Sequence, residues 1–266
     1  MRKVLALIRA GWLTRLSYRL QVVFSVGGLL FIIVPLYFIA QALQPVMAAS
    51  IEHEGRNYFG FLVVGMITLF LVTAAVTVFA ETLQSGIERG TLETLLMTPT
   101  RLPLLLAGMV GYNFSWTGLR SLLVLLAAWI LGVQLAWGHG VLALAILALI
   151  ILAYIPFGLM IAAFVLAFRT TGPWPQLLLT GSVFLGGVYY PTHVMPSWLE
   201  GVSTFVPLTY GLRALRRTLL DGAGWNIVAS DVAILGGFVV VLLTASVAAF
   251  SFALRYARRA GTLAQY

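Results

Sequence analysis

Between Ser85 and Pro99 the sequence reads SGIERGTLETLLMTP, gathering Glu88, Arg89 and Glu93 into a short polar run flanked by long apolar stretches. Charged side chains at this density suit contact with a soluble protein surface. Acid/base catalysis would need an Asp pair or a His–Glu constellation, and nucleophilic catalysis a Ser with a His base. The apolar stretches contain neither. His53, His139 and His193 stand singly in expected loops without a His-x-x-x-His pairing, so they read as interfacial polar residues and no metal ligand set is expected. Cys is absent, which removes disulfides, thiolate metal sites and cysteine nucleophiles. Gly181 and Ser182 in LTGSVFLGG have no catalytic partner in the sequence and read as small residues for close helix packing. No Gly-x-x-x-x-Gly-Lys-Ser/Thr run occurs, so the chain has no P-loop to cradle a nucleotide.

What must position the polar run is a membrane domain. Of 266 residues, 61% are hydrophobic and 9% charged, and mean hydropathy is +1.01. A soluble domain cannot hide that much apolar surface. The expected class is therefore an all-α polytopic membrane protein, with room for several spans and none for a sizeable soluble domain. The net charge of +8 comes from arginines collected beside apolar stretches. It reads as topology signal and contact with membrane lipid, with no nucleic-acid partner. In MRKVLALIRAGWLTRLSYRL the basic residues interrupt the apolar ones and no cleavage site follows, so the segment is expected to stay on the protein.

Six spans are expected, at 22–43, 58–80, 110–135, 141–168, 174–190 and 231–254. Residues 1–20 place Leu5, Ile8, Trp12, Leu16 and Leu20 at helical spacing, with Arg2, Arg9, Arg15 and Arg19 near the headgroups. That pattern fits an amphipathic interfacial helix, or a basic flank that fixes orientation. Residues 191–222 are too apolar for a loop, yet Pro191, Pro196 and Pro207 break them into pieces of re-entrant length. The positive-inside rule puts both termini and the polar run in the cytosol. Arg213, Arg216 and Arg217 then fall outside, and their grouping suggests a basic face on a short surface helix. Arg120 interrupts the third span, where it is either a paired or snorkelling structural residue or part of a transport path.

The polar run itself is expected to form a helix over 85–97. Ser85 and Glu88 stand at capping-box spacing, Thr98 and Pro99 stop it, and Ile87, Thr91 and Leu95 with Leu92 and Leu96 make one apolar stripe. Gly90 costs about 1 kcal/mol in a helix interior relative to Ala, which another backbone approaching closely would explain. A docking helix and a solvated connector both satisfy these facts.

ERGTLETLLMTP between the second and third spans, together with GGVYYPTHVMPSWLEGVSTFVPLTYGLRALR before the last, resembles the permease subunit of ABC-2 type exporters in motif, order and spacing. The resemblance implies a coupling helix, in which Glu88, Arg89, Gly90, Thr91, Leu92 and Glu93 face a separate cytosolic ATPase subunit while Leu95 and Leu96 anchor the helix. It implies an extracellular cap shaped by Pro191, Pro196, Pro207, Leu208, Thr209 and Tyr210. It also implies a second permease copy, identical or homologous, a location in the cell's inner membrane, and ATP and Mg²⁺ held by the partner subunit and not by this chain. The coupling sequence is closer to the branch that exports drugs, lipids and lipo-oligosaccharides than to polysaccharide or glycolipid exporters. Tyr37, Phe38, Phe61, Phe184, Tyr189 and Tyr190, with Arg120, are the candidate pathway residues. A membrane-embedded lipid-modifying enzyme would need catalytic partners the spans lack, and an ion-coupled transporter would show acidic residues within them.

Overall fold

A computed structural model describes the backbone of residues 2–52, 54, 55, 57–88, 102–168 and 170–259, and these residues contain helices and turns but no strand. In chain order the α-helices are α1 (Arg2–Ser17), α2 (Arg19–Met47), α3 (Tyr58–Glu88), α4 (Leu102–Ile130) and α5 (Gly140–Phe168). Then follow α6 (Trp174–Leu185), α7 (Ser197–Ser203), α8 (Pro207–Leu220) and α9 (Trp225–Arg259). Among the described residues, five segments are long and apolar enough to cross a membrane: Arg19–Met47, Tyr58–Thr82, Val110–Ile130, Trp137–Val165 and Trp225–Ala249.

The expected span at 174–190 takes a different form. α6 has 12 residues, roughly 18 Å of helix, against a hydrocarbon core of roughly 30 Å. It stops at the Gly186–Gly187 pair, where Gly187 adopts φ +72, a conformation that ends a helix and that side chains disfavour. The last helix starts earlier than expected, so Asp231 lies inside α9 and not at its start.

The expected break at Ser85 is also absent. α3 runs unbroken through Glu88, and the Ser85 hydroxyl donates to the Thr82 carbonyl at 3.1 Å, so Ser85 caps no helix. Extending an existing helix adds one hydrogen bond per residue fixed, whereas a new helix needs a costly nucleus. Residues 89–101 lie outside the described residues.

α3 is the central element, with an apolar core on either side. Val72, Ala75, Ile150, Tyr154, Leu212 and Leu235 join it to α5, α8 and α9. Leu29, Ile33, Phe61, Val63, Val124 and Ala128 join it to α2 and α4. Between membrane helices dispersion packing replaces the hydrophobic effect, so close approach matters more than apolar area. Gly158 provides it: a Cβ there would lie 2.2 Å from the Ala75 carbonyl oxygen and 3.1 Å from that of Val76.

α2 lies at the edge, burying Leu29, Ile33 and Ala40 while Phe24, Phe31 and Phe38 are exposed. The expected stripe on 1–20 is not continuous. A Cβ on Gly11 or Gly111 would meet Tyr112 or Ile8, so α1 packs against α4 through Ile8 and Trp12, while Leu5, Leu16 and Leu20 are exposed. Arg15 places its guanidinium carbon 4.7 Å from the Trp116 ring centre.

α6 runs back along α5. The Phe164 and Trp174 rings are 6.3 Å apart, the Tyr154 hydroxyl donates to the Ser182 hydroxyl at 2.9 Å, and the Tyr58 hydroxyl donates to the Tyr189 carbonyl at 3.0 Å. The chain from Trp174 to Tyr189 therefore travels from the C-terminal end of α5 to the N-terminal end of α3.

Candidate functional site

The residues expected to shape a cap come together at the end of the bundle where α3 begins. Pro207 opens α8 at its first position, where a missing amide costs nothing and the ring presets the helical φ. The Thr209 hydroxyl donates to the Ser203 carbonyl at 2.9 Å and approaches the Leu185 carbonyl at 3.4 Å. These contacts bind α8 to the ends of α7 and α6. Pro191, Pro207, Leu208 and Thr209 are buried, Pro196 is exposed ahead of α7, and Tyr210 is half-buried. The Tyr210 ring lies 5.4 Å from the Arg213 guanidinium carbon and 6.1 Å from the Phe238 ring.

The centre of this layer is Arg216, which is 1% exposed. It follows Leu208 and Leu212 at intervals of four and so shares their inward face. Nη1 donates to the Gly187 carbonyl at 2.9 Å, Nη2 to the Val188 carbonyl at 2.8 Å and Nε to the Phe61 carbonyl at 3.3 Å. Nη1 also reaches Glu54 Oε2 at 3.3 Å, and the guanidinium carbon lies 3.3 Å from the Phe61 ring centre. One side chain thus ties α8 to α3, to the irregular turn after α6 and to the turn between α2 and α3. Burial pulls the Arg216 guanidinium down to about 10, against the opposing effect of Glu54, so it is still a cation at neutral pH. Gly65 makes room for it: a Cβ there would sit 2.6 Å from the Val188 carbonyl oxygen and 3.0 Å from Arg216 Nη2.

A second tie joins α8 to α9. Arg213 Nε donates to Asp231 at 3.0 Å and 3.2 Å, Arg213 Nη2 bonds Asp231 Oδ1, and Arg217 Nη1 lies 3.8 Å from Oδ2. The bond to Asp231 raises the Arg213 pKa. The expected basic surface face is therefore not formed. Arg216 is internal, and Arg213 and Arg217 turn to a buried carboxylate because an unpaired Asp231 in an apolar helix would cost several kcal/mol. The sequence held one signal for this: Arg216 has the phase of the Leu208–Leu212 stripe.

Ser182, read as a partnerless packing residue, accepts the Tyr154 hydrogen bond inside the bundle, and Tyr154 is 1% exposed. Tyr154→Phe is expected to lower stability by about 1 kcal/mol. Ser182→Ala, which removes the acceptor of the buried Tyr154 hydroxyl, should cost about 2 kcal/mol. Denaturant titration of both in detergent checks the order.

The candidate pathway residues do not form one group. Phe61 is fully buried under Arg216 and stacks on Tyr58 at 6.0 Å. Tyr37 packs edge-on against Phe38 at 5.6 Å and Phe59 at 5.1 Å. Phe38, Phe184 and Tyr189 are exposed, and the Tyr190 hydroxyl donates to the Phe184 carbonyl at 3.1 Å. Arg120 faces Phe70, with its guanidinium carbon 5.3 Å from the ring centre. An apolar hollow of about 530 Å³ opens between α5 and α6, lined by Phe157, Phe164, Trp174 and Leu177 among others. Of the expected coupling residues, Glu88 closes α3, while Arg89, Gly90, Thr91, Leu92, Glu93, Leu95 and Leu96 lie outside the described residues.

The sequence profile described as ABC-2 type transporter matches residues 2–220. Nodulation protein J of Bradyrhizobium diazoefficiens is 27% identical over 202 residues, covering 74% of this chain and 75% of the relative. Inner membrane transport permease YadH of Escherichia coli is 26% identical over 165 residues, covering 62% of this chain and 64% of the relative. Linearmycin resistance permease protein LnrN of Bacillus subtilis is 23% identical over 129 residues, covering 48% of this chain and 33% of the relative.

Proposed function

Because this chain belongs to the ABC-2 type transporter family, a family of transmembrane transport subunits, we propose that it is the permease subunit of an ATP-driven exporter. Its cargo is an amphipathic or hydrophobic molecule of the drug, lipid or lipo-oligosaccharide class, taken from the cytosol or the inner leaflet. The observation that carries this reading is the cap layer. Residues 186–220 fold back into one end of the bundle and are clamped there by Arg216, while the polar run starts within the last turn of α3, which Glu88 closes at its far end. A closed outer end and a charged inner segment are what a two-state transport cycle driven from the cytosol requires.

On this reading α6 and its irregular tail complete a sixth crossing, both termini are cytosolic, and the membrane is the inner membrane named for YadH. The name of LnrN, a linearmycin resistance permease, supports a small molecule over a polymer as the cargo. ATP and Mg²⁺ are handled by a separate cytosolic ATPase subunit that docks on Glu88, Arg89, Gly90, Thr91, Leu92 and Glu93. The exposed edge of α2, with Phe24, Phe31 and Phe38, meets a second permease copy across the pathway.

Two measurements test the proposal. The chain should co-purify with a soluble ATPase and move cargo in proteoliposomes only with ATP; robust transport by this chain alone overturns it. Gly90→Leu and Glu88→Leu should insert normally but reduce cargo-stimulated ATP hydrolysis by the partner to its basal rate. Normal stimulation in both variants removes the docking claim.

A further inference from the structure

Packing of α1 on α4 gathers two cations that the cap does not use. Trp12 Nε1 donates to the Ser115 hydroxyl at 2.9 Å, and the Trp12 ring meets Tyr112 and Trp116 edge-on at 6.2 and 5.6 Å. This contact lays Arg15 over Trp116. Arg120 lies four residues beyond Trp116 and so shares its face of α4, the face on which Arg15 is laid. The ion pairs among the described residues all belong to Arg213, Arg216 and Arg217.

Among the described residues, four buried side-chain atoms in this region have no hydrogen-bond partner: Arg15 Nε, Trp116 Nε1, Arg120 Nε and Ser121 Oγ. The three nitrogens are donors only, and the hydroxyl can donate. Two like charges beside unused donors are costly in a membrane span, and an acceptor with negative charge relieves both costs. Arg120 lies ten residues before the end of α4 at Ile130, by 130 − 120, roughly 15 Å along the helix, and so inside its apolar segment.

We propose that Arg15, Trp116, Arg120 and Ser121 form an oxyanion site within the membrane that receives the anionic head of an amphiphile, such as a phosphate. That this amphiphile is cargo, drawn in from the leaflet, rests on the exporter reading; the site itself does not.

The test uses the full chain in detergent, with dioleoylphosphatidylglycerol and dioleoylphosphatidylcholine as probes and bound lipid counted by native mass spectrometry. The wild type should hold the anionic lipid about tenfold more tightly, as expected for charge-assisted bonds. Arg15→Gln and Arg120→Gln should each bring the ratio near one, and Arg120→Lys should restore part of it. If Arg120→Gln does not fold, by circular dichroism, then Arg15→Gln decides. An unchanged preference in a folded Gln variant overturns the site. Reconstitution with the ATPase separates the two sources of the anion: cargo stimulates ATP turnover in a manner lost in Arg15→Gln, whereas a resident lipid binds without stimulating. ATP-independent transport would end the exporter reading and leave the lipid preference standing.

Discussion

Replacing Arg216 with Leu is expected to destabilise the folded chain by about 3–5 kcal/mol, the range for breaking a buried ion pair from one side. The carbonyls of Phe61, Gly187 and Val188 would lose their donor, and the Glu54 carboxylate would lose its counter-ion. Leu is also shorter and leaves space beneath the Phe61 ring. Arg216→Lys retains the charge but not the planar fork that serves separate carbonyls at once, so it should recover only part of the loss. Glu54→Gln should cost less, about 1–2 kcal/mol, because Glu54 keeps some access to solvent at 12% side-chain exposure. Chemical denaturation in detergent, followed by circular dichroism, measures all three; a loss below about 1 kcal/mol for Arg216→Leu would show that the clamp is not structural.

Gly158→Ala is expected to destabilise by about 3 kcal/mol, at the upper end of the range for overpacking. The added carbon would lie 2.2 Å from the Ala75 carbonyl oxygen, a contact with backbone that no rotamer change relieves, so α3 and α5 must separate. Separation weakens dispersion contacts along both helices, which are the main attraction available between helices in lipid. Gly158→Leu should yield no folded protein. Gly181→Ala is the control: nothing lies within 4 Å of a Cβ at that position, and it should be neutral or slightly stabilising through helix propensity. Equal stability of Gly158→Ala and Gly181→Ala would contradict the close approach of α3 and α5.

The class of protein and most of its helices were legible because each long helix is apolar along its length, and that signal needs no tertiary information. The fourth expected span, 141–168, matches α5 to within a residue. The fifth was misread in form because an apolar count over 174–190 ignores the glycine pair that ends α6. Ser85 was misread because a capping box is a local pattern, and a helix arriving from upstream overrides it.

The candidate site divides along the same line. Pro191, Pro207, Leu208 and Thr209, which the resemblance implied as parts of an extracellular cap, are buried, and Thr209 bonds the Ser203 carbonyl. Glu54 and Asp231 were not identified as its partners, since their contacts with Arg216 and Arg213 join positions 162 and 18 residues apart. By itself the sequence determined that the chain crosses a membrane repeatedly, where its proline-rich tract begins, and which segment carries concentrated charge, because these follow from local composition and transfer energy. Only the tertiary structure decided which arginines are internal: a buried guanidinium is tolerable where acceptors converge on it, and convergence is a property of the packed bundle.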